Sequence, residues 1–459
     1  MIWTHWTLWW ASLRSATVRP VNASDTVQNT GADAATARRI HTGEWTAVAW
    51  SFLYFFCVLS AYYVIRPVRD QLSAAVGSTQ LPWFYAAVFA ATLLLTPVFA
   101  WLVGRYPRRV VIPAVYVFFI ACLLGFMPLF TYEGLLSPRA LGILFFVWIS
   151  VFNLFVVSVF WSFMADIWND AQARRLFPVI AVGGSLGSLV GPAMALSLVD
   201  IIGVAPLLWV SVILLLAAIG CAAMLGRWAQ QHGARRGESA QGAAMGGGMF
   251  DGLKQIFANP IMRTMAVLMV LGDCIGTVNY ALVIDYSKAT FADAVSRTQF
   301  AAKLDLTTNL FAISIQIFVT RHLLTRYGAA PAIALHAGAT VLVMLLVLIA
   351  ADPFALAIGP LPWVALALVV SRGLAYGALG PARESLFARV PRSLRYKGKN
   401  AVDTAVWRFG DMAVATAMNG LRALGVVSLG FAAINILPAM ASGVLGWRLA
   451  RRIERGHTD

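Results

Sequence analysis

The sequence predicts an all-α polytopic membrane protein with about 12 transmembrane helices in two six-helix halves. Three observations carry that reading. Apolar runs recur along the chain, each long enough to cross a bilayer, which takes roughly 20 residues. Of the 459 residues, 60% are hydrophobic and only 12% charged, a make-up that would leave a soluble protein covered in exposed apolar surface. A polar, glycine-rich stretch divides the runs six and six.

In chain order, the first 45 residues mix Trp, Arg, Thr, Ala and Asp without periodicity. The opening MIWTHWTLWWASL is too short and aromatic for a signal peptide. Residues 1–45 are therefore expected to be a disordered cytoplasmic tail with an interfacial Trp-rich start, or the product of an upstream start codon. Spans are expected near 46–66, 81–103, 109–131, 140–166, 176–200 and 204–226, forming an N-terminal half over 46–226. Residues 227–261 contain RWAQQHGARRGESAQGAAMGGGMFDGLKQ. A Gly/Ser/Ala-rich segment cannot pack a core, so it reads as a cytoplasmic linker. Spans near 262–286, 300–322, 331–351, 361–386, 400–422 and 425–447 form the C-terminal half, 262–447, and a basic cytoplasmic tail covers 448–459.

Charge placement sets orientation and excludes other classes. The net charge of +15 would suggest nucleic acid in a soluble protein, but the basic residues sit in alternate short connections and no basic–aromatic groove pattern appears. Arg105, Arg108 and Arg109 follow span two, Arg174 and Arg175 span four, Arg321 and Arg326 span eight, and Arg389 to Lys399 span ten. Intervening loops hold few, such as Arg139 and Arg422. Both termini are thus expected in the cytoplasm. Cys57, Cys122, Cys221 and Cys274 lie inside apolar runs without CxxC spacing and read as packing residues, not as disulfides or metal ligands. His336, inside span nine, reads as a core histidine before a proton relay. No HExxH or His/Asp cluster appears, so neither catalytic residues nor cofactors are expected.

The halves resemble each other. VFAWLVGRYPRRVVIP after span two matches IFVTRHLLTRYGAAPAI after span eight, and VIRPVR after span one matches VIDYSK after span seven, at an offset of about 220 residues. Two six-span halves joined by a cytoplasmic linker is the parallel-repeat plan of the major facilitator superfamily, and the RY/RR loop resembles a degenerate form of that superfamily's loop between spans two and three.

Charges inside the spans are the functional candidates, since each costs roughly 2.5–3.5 kcal/mol at the bilayer centre on insertion scales. Arg66 and Arg69 in YYVIRPVRDQL share a helix face, with Pro67 expected to kink or stop the helix. Asp166 ends span four. Asp273, Asp285 and Lys288 belong to span seven, and Lys303, Asp305 and Asn309 to span eight. Arg372, Arg383 and Glu384 belong to span ten, and Asp403, Arg408 and Asp411 to span eleven. Interfacial snorkelling or helix–helix salt bridges explain such charges blandly. For Arg69, Lys288 and Arg383 an anion-binding role is favoured, because Lys supplies a point charge and Arg a planar fork that grips phosphate. Span five contains Gly183, Gly184, Gly187 and Gly191 before Pro192, read first as close helix packing and second as the GxxxGP pattern of proton-driven antiporters.

Four strings resemble the ATP/ADP antiporter family of plastids and intracellular bacteria: VRDQL at 68–72, FWSFMADIWNDAQARRLFPVIAVGGSLGSLVG, VIDYSK, and PARESLFARVPRSLRYKGKNAVDTAVWRFGD. The resemblance spans most of 50–425. It implies substrate-contacting charges at Arg69, Asp166, Asp285, Lys288 and Arg383, with Arg66 beside them. Where this chain has Arg69 and Arg383 the family has Lys, and where it has Asp166 and Asp285 the family has Glu. Signs are kept but reach is not, which marks a divergent bacterial branch.

The expectation is an inner-membrane, monomeric carrier exchanging a nucleotide or related organic anion by alternating access, with Asp273, Asp305, Glu384, Asp403 and Arg408 in coupling or gating. The alternative is proton-coupled transport of another small molecule, such as a siderophore or drug, with Asp166, Asp273, Asp285 or Asp305 titrating. A polytopic enzyme or a lipid flippase is the third class.

Overall fold

The computed structural model describes residues 42–106, 108–132, 134–232, 258–390 and 406–455. Nearly all of the predicted tail, most of the linker, and Asp403 lie outside the described residues. The helices are α1 Trp45–Val76, α2 Leu81–Arg105, α3 Arg108–Thr131, α4 Pro138–Ile167, α5 Asp170–Ile202 and α6 Leu207–Gln231. After the linker come α7 Pro260–Thr290, α8 Ala294–Arg326, α9 Ala330–Ala350, α10 Trp363–Phe387, α11 Trp407–Ala423 and α12 Ser428–Glu454. A short hairpin pairs Leu356–Ile358 with Leu361–Pro362 between α9 and α10. Eleven helices are long and apolar enough to cross a membrane among the described residues. The exception is α11, described for 17 residues.

The chain is a multi-pass integral membrane protein, and its outer surface fits that setting. Ile213, Leu216, Phe318, Leu342 and Ile349 are exposed around the helix bundle, a pattern that water would penalise and lipid tolerates. Polar groups turn inward. The linker lies between the ends of α6 and α7, and the side of the bundle holding those ends is the linker face. Because each helix crosses once, α1 starts at that face and ends at the opposite, far face.

Helix α1 departs from expectation. It runs unbroken through Pro67 for 32 residues, about ten residues beyond the predicted span. Proline removes one backbone donor, but a helix buried among neighbours keeps its course. α1 is enclosed by α4, α5 and α6, and the Ser211 hydroxyl on α6 donates to the Ala61 carbonyl at 2.9 Å. The extra length places Arg66 and Arg69 well inside the span rather than at its end.

The glycines of α5 explain how α1 is held. A Cβ added at Gly183 would collide with the Phe52 carbonyl. One at Gly187 or Gly191 would come within 2.6 Å of the Phe56 carbonyl or of Tyr63 Cβ. The α5 glycine face is therefore a backbone-to-backbone seat for α1, the packing reading of the motif. The Phe55 ring stacks on Phe160 of α4 with centroids 4.3 Å apart, and the Tyr54 and Tyr116 hydroxyls bond at 2.7 Å.

Two helices of the second half carry π-helical turns, Gln316–Thr320 in α8 and Ala375–Leu379 in α10. They touch each other: the Thr320 hydroxyl donates to the Gly377 carbonyl at 2.6 Å. Such turns widen the helix and rotate the residues beyond them, and the one in α10 turns Tyr376 towards the centre of the protein.

Because the α1–α5 contact has no spare room, Gly187→Ala should destabilise the protein by about 1–3 kcal/mol through overpacking. Thermal unfolding in detergent reads this as a lowered midpoint. An unchanged midpoint would mean that the helices can separate at no cost.

Candidate functional site

The two halves enclose a central cavity of about 340 Å³. Its walls come from α1, α2 and α4 on one side and from α7, α9, α10, α11 and α12 on the other. Five arginines line it: Arg66, Arg69, Arg372, Arg383 and Arg408. Two carboxylates, Asp273 and Asp411, line it as well.

The arginines are held by aromatic faces. The Arg66 guanidinium lies 5.4 Å from the Tyr63 ring centroid, Arg69 4.9 Å from Phe146, Arg372 5.4 Å from Tyr280 and Arg408 4.8 Å from Trp407. Stacking on a ring face orients the guanidinium plane while leaving its N–H edge available. Tyr62, Tyr85 and Tyr376 complete an aromatic lining. The sequence places these arginines at different depths. Arg383 lies near the linker-face end of α10 and Arg408 near the described start of α11. Arg66, Arg69 and Arg372 lie deeper.

Carboxylates balance part of this charge. Arg66 meets Asp305 of α8 at 3.4 Å, with both side chains almost fully buried. Arg69 binds its neighbour Asp70 through Nε at 2.8 Å and Nη2 at 2.6 Å. The Tyr280 hydroxyl of α7 donates to the same Asp70 oxygen at 2.7 Å. Both clusters cross between halves. Arg408 lies 3.7 Å from Asp411, whose other oxygen accepts from Thr277 at 3.0 Å. Arg372 differs: it has no ion pair among the described residues. Its place is set from behind, where Asn279 donates to Ser371 at 2.8 Å and Asn435 to Asn279 at 3.1 Å. This chain of polar groups pins α7, α10 and α12, and the next residues along, Tyr280 and Arg372, face the cavity.

The predicted site residues divide between this cavity and other places. Arg66, Arg69, Arg383, Asp273 and Arg408 line the cavity. Asp305 backs it through Arg66. Lys288 and Asp285 do not reach it in this state, which corrects the expected sharing of one void by Arg69, Lys288 and Arg383. Lys288 stands in the last turn of α7, whereas Arg69 stands roughly two turns inside α1. The matched strings VIRPVR and VIDYSK thus sit at different depths. Asp166 is exposed at the linker-face end of α4 and does not line the cavity, because the helix that carries it ends within a residue. Glu384 is buried in α10 outside the cavity lining. Asp403 lies outside the described residues. His336 is buried and contributes to the cavity wall.

Asp285 and Lys288 join a different structure. At the far face Asp285 accepts from the Ser78 backbone at 3.1 Å and the Ser78 hydroxyl at 2.7 Å. Arg422 of α11 donates to Asp285 at 2.8 Å and to Ser78 at 2.6 Å. Lys288 donates to the Val76 carbonyl at 2.9 Å, and Asn419 to the Thr79 carbonyl at 2.8 Å. Gln299 of α8 bonds Asp200 of α5 at the same face. These bonds tie one half to the other across the far face. The cavity meanwhile reaches towards the linker face, where Met265, Leu386 and Trp407 line it. Sequence reasoning counted Arg372 among the intramembrane charges without assigning it a role, and missed Asp70 and Arg422 as participants. The available signal for Arg372 was an arginine near the middle of an apolar run, SRGLAYG. Nothing in the sequence could pair Arg422 with Ser78 and Asp285, which stand far from it in the chain.

Comparison with known proteins agrees with this architecture. The family model of the Major Facilitator Superfamily matches residues 52–398, and the chain belongs to that superfamily of secondary transporters. ADP,ATP carrier protein 1 of Chlamydia muridarum (strain MoPn / Nigg) is 21% identical over 444 residues, covering 83% of each chain. ADP,ATP carrier protein 1 of Chlamydia pneumoniae is 21% identical over 447 residues, covering 83% of this chain and 85% of the relative. The likeness to the ATP/ADP antiporter family is thus borne out as a distant one. Among solved structures, the xylose transporter XylE from E. coli in its inward open conformation aligns with a TM-score of 0.57 at 14% identity, covering 87% of this chain and 95% of that one. The nucleoside transporter NupG aligns with a TM-score of 0.56 at 14% identity, covering 90% and 100%. Those structures support the fold.

If the Asp285 cluster closes the far face, Asp285→Ala should open it. In a cysteine-free background, Met418→Cys, buried just inside the cluster, should then be labelled several-fold faster by an impermeant maleimide added at that face. Unchanged labelling would show that the apolar contacts alone keep the halves closed.

Proposed function

We propose that the protein exchanges nucleotides, or closely related phosphorylated anions, across the membrane by alternating access. The observation that carries this is the convergence of five arginines from both halves on one aromatic-lined cavity. Among the described residues, only two carboxylates share that lining. An anion entering from the linker face would pass Arg383 and Arg408 and settle among Arg66, Arg69 and Arg372. Arg372, without a carboxylate partner among the described residues, is the group best placed to hold a phosphate bidentately. The tyrosines and Trp407 offer flat faces on which a base can stack. The weak resemblance to proteins named ADP,ATP carriers points the same way.

The cross-half bonds supply a reason for coupled movement. Arg66–Asp305 and Asp70–Tyr280 join the halves next to the cavity floor. An anion that draws Arg66 or Arg69 towards itself would loosen those bonds and let the halves rock. Exchange results if the empty carrier re-forms them and resists the passage. By the charge asymmetry of the loops, the linker face is cytoplasmic, both termini lie there, and the halves correspond to residues 46–226 and 262–447 in a monomer of the inner membrane.

A second reading, proton-coupled transport of a different solute, is favoured by one feature: the buried Asp273 carboxylate in the cavity wall. An imposed pH gradient separates the two, because pure exchange ignores it.

Purified protein in liposomes loaded with unlabelled nucleotide should take up labelled nucleotide from outside. Arg372→Ala should lower that uptake at least tenfold, as expected for loss of a charge-assisted contact of about 1.5–3 kcal/mol. Absence of exchange with any nucleotide or phosphorylated metabolite would reject the proposal.

A further inference from the structure

Among the described residues, Asp273 is the one cavity carboxylate that the anion-binding scheme leaves unused. It sits near the middle of α7 and is only 8% exposed. Asp411, by contrast, already has Thr277 and Arg408. No described group donates a hydrogen bond to Asp273, and its buried Oδ2 has no partner. That oxygen lies against bare backbone of α11: a Cβ added at Gly410 would come within 2.6 Å of it. The charged groups within electrostatic reach are Asp411, Arg383 and Arg408. The other oxygen, Oδ1, also has no described donor and is not sealed off in this way, so a carboxylate in the cavity wall, costly to bury without a donor, points to a donor that arrives with the ligand and meets Oδ1.

The surrounding surface has the shape for such a ligand. Gly272 and Gly276 flank Asp273 on α7, both line the cavity, and a Cβ at either would meet nothing within 4 Å. One stretch of α7 therefore presents naked backbone beside the carboxylate, with room for a flat ring to lie along it. The unpaired arginine, Arg372, belongs to α10 and stacks on Tyr280, further along α7 towards the far face. The cavity is thus polarised along α7, with acceptor character at Asp273 and excess positive charge deeper in.

From this polarity we propose that Asp273 is a specificity-determining residue that accepts a hydrogen bond from an amino group on the substrate's ring while the arginines hold its anionic end. This rests on the nucleotide reading above and sharpens it: the preferred solute is a phosphorylated compound with an amino-bearing heterocycle, and the same compound without the amino group is discriminated against. Bonds to a charged acceptor contribute about 1.5–3 kcal/mol, or roughly tenfold and upward in affinity.

The test compares ATP with purine riboside 5′-triphosphate, which has hydrogen in place of the amino group, and with ribose 5-triphosphate, which has no base. Binding is measured to the purified full-length chain. Wild-type protein should prefer ATP to the purine analogue about tenfold or more. Asp273→Ala should erase that preference while binding ribose triphosphate as well as, or better than, wild type, since a nearby negative charge has gone. Asp273→Asn, which keeps the shape and one acceptor, should fall between them. Equal affinity of wild type for ATP and the purine analogue would overturn the inference while leaving nucleotide binding intact. So would a preference that survives in Asp273→Ala, or a uniform loss for all three ligands in that variant. If Asp273→Ala instead keeps the preference and loses only the pH dependence of binding, Asp273 is a proton site and the inference fails. Failure of wild type to bind any of the three would reject the nucleotide reading, and the inference with it.

Discussion

A charge inside a bilayer has to be answered by another charge, by a hydrogen bond or by water. This protein carries several in its interior, and the bond between Arg66 and Asp305 shows how they are answered. The arginine belongs to the first half and the aspartate to the second, so neutralising it requires the halves to meet. Asp70 repeats the device by accepting from Arg69 within its own half and from Tyr280 across the divide. Desolvation makes such pairs poor sources of net stability but costly to leave half-made. The union of the halves therefore depends on these cross-half pairs being made.

That condition separates two kinds of inter-half contact. Deep pairs around the cavity are largely buried, and removing one partner strands a charge. The far-face cluster of Ser78, Asp285, Arg422 and Lys288 is partly exposed, its ion-paired side chains by 21% and 29%. Contacts of that kind are worth roughly 1 kcal/mol or less each, so together they hold a face shut without locking it. A carrier needs both: an interior that responds to its ligand and a seal that yields when the interior changes. Lys288 and Asp285 belong to the seal in this state, although they resemble residues expected at the substrate.

Rigidity lies elsewhere. The seat of α1 on the glycines of α5 leaves no gap, and the Ser371–Asn279–Asn435 chain binds α10, α7 and α12 into one unit. These elements carry Arg66, Arg69, Tyr280 and Arg372. These cavity-lining groups thus ride on stiff supports. The π-helical turns in α8 and α10, bonded to one another, are the places where helix geometry is already irregular.

Much of this was legible in the sequence, because bilayer physics acts locally. A run of apolar residues either is or is not long enough to span, so the helices, the two halves and the membrane setting came from composition and periodicity. Intramembrane charges stood out for the same reason, and Arg66, Arg69, Arg383, Asp273 and Arg408 do line one cavity. The depth of a residue was not legible. α1 extends past Pro67, which carries its arginines inward, while Lys288 falls in the last turn of α7. Matching strings at a constant offset therefore concealed a difference of more than a turn. Nor could the chain reveal partners. Arg422 looked like an ordinary loop charge until folding set it beside Ser78 and Asp285, and Arg372 gained its place only when Asn279 and Ser371 fixed α7 against α10. Length and polarity are properties of a segment and can be read from it. Which charge answers which depends on distances between segments, and those exist only once the helices have packed.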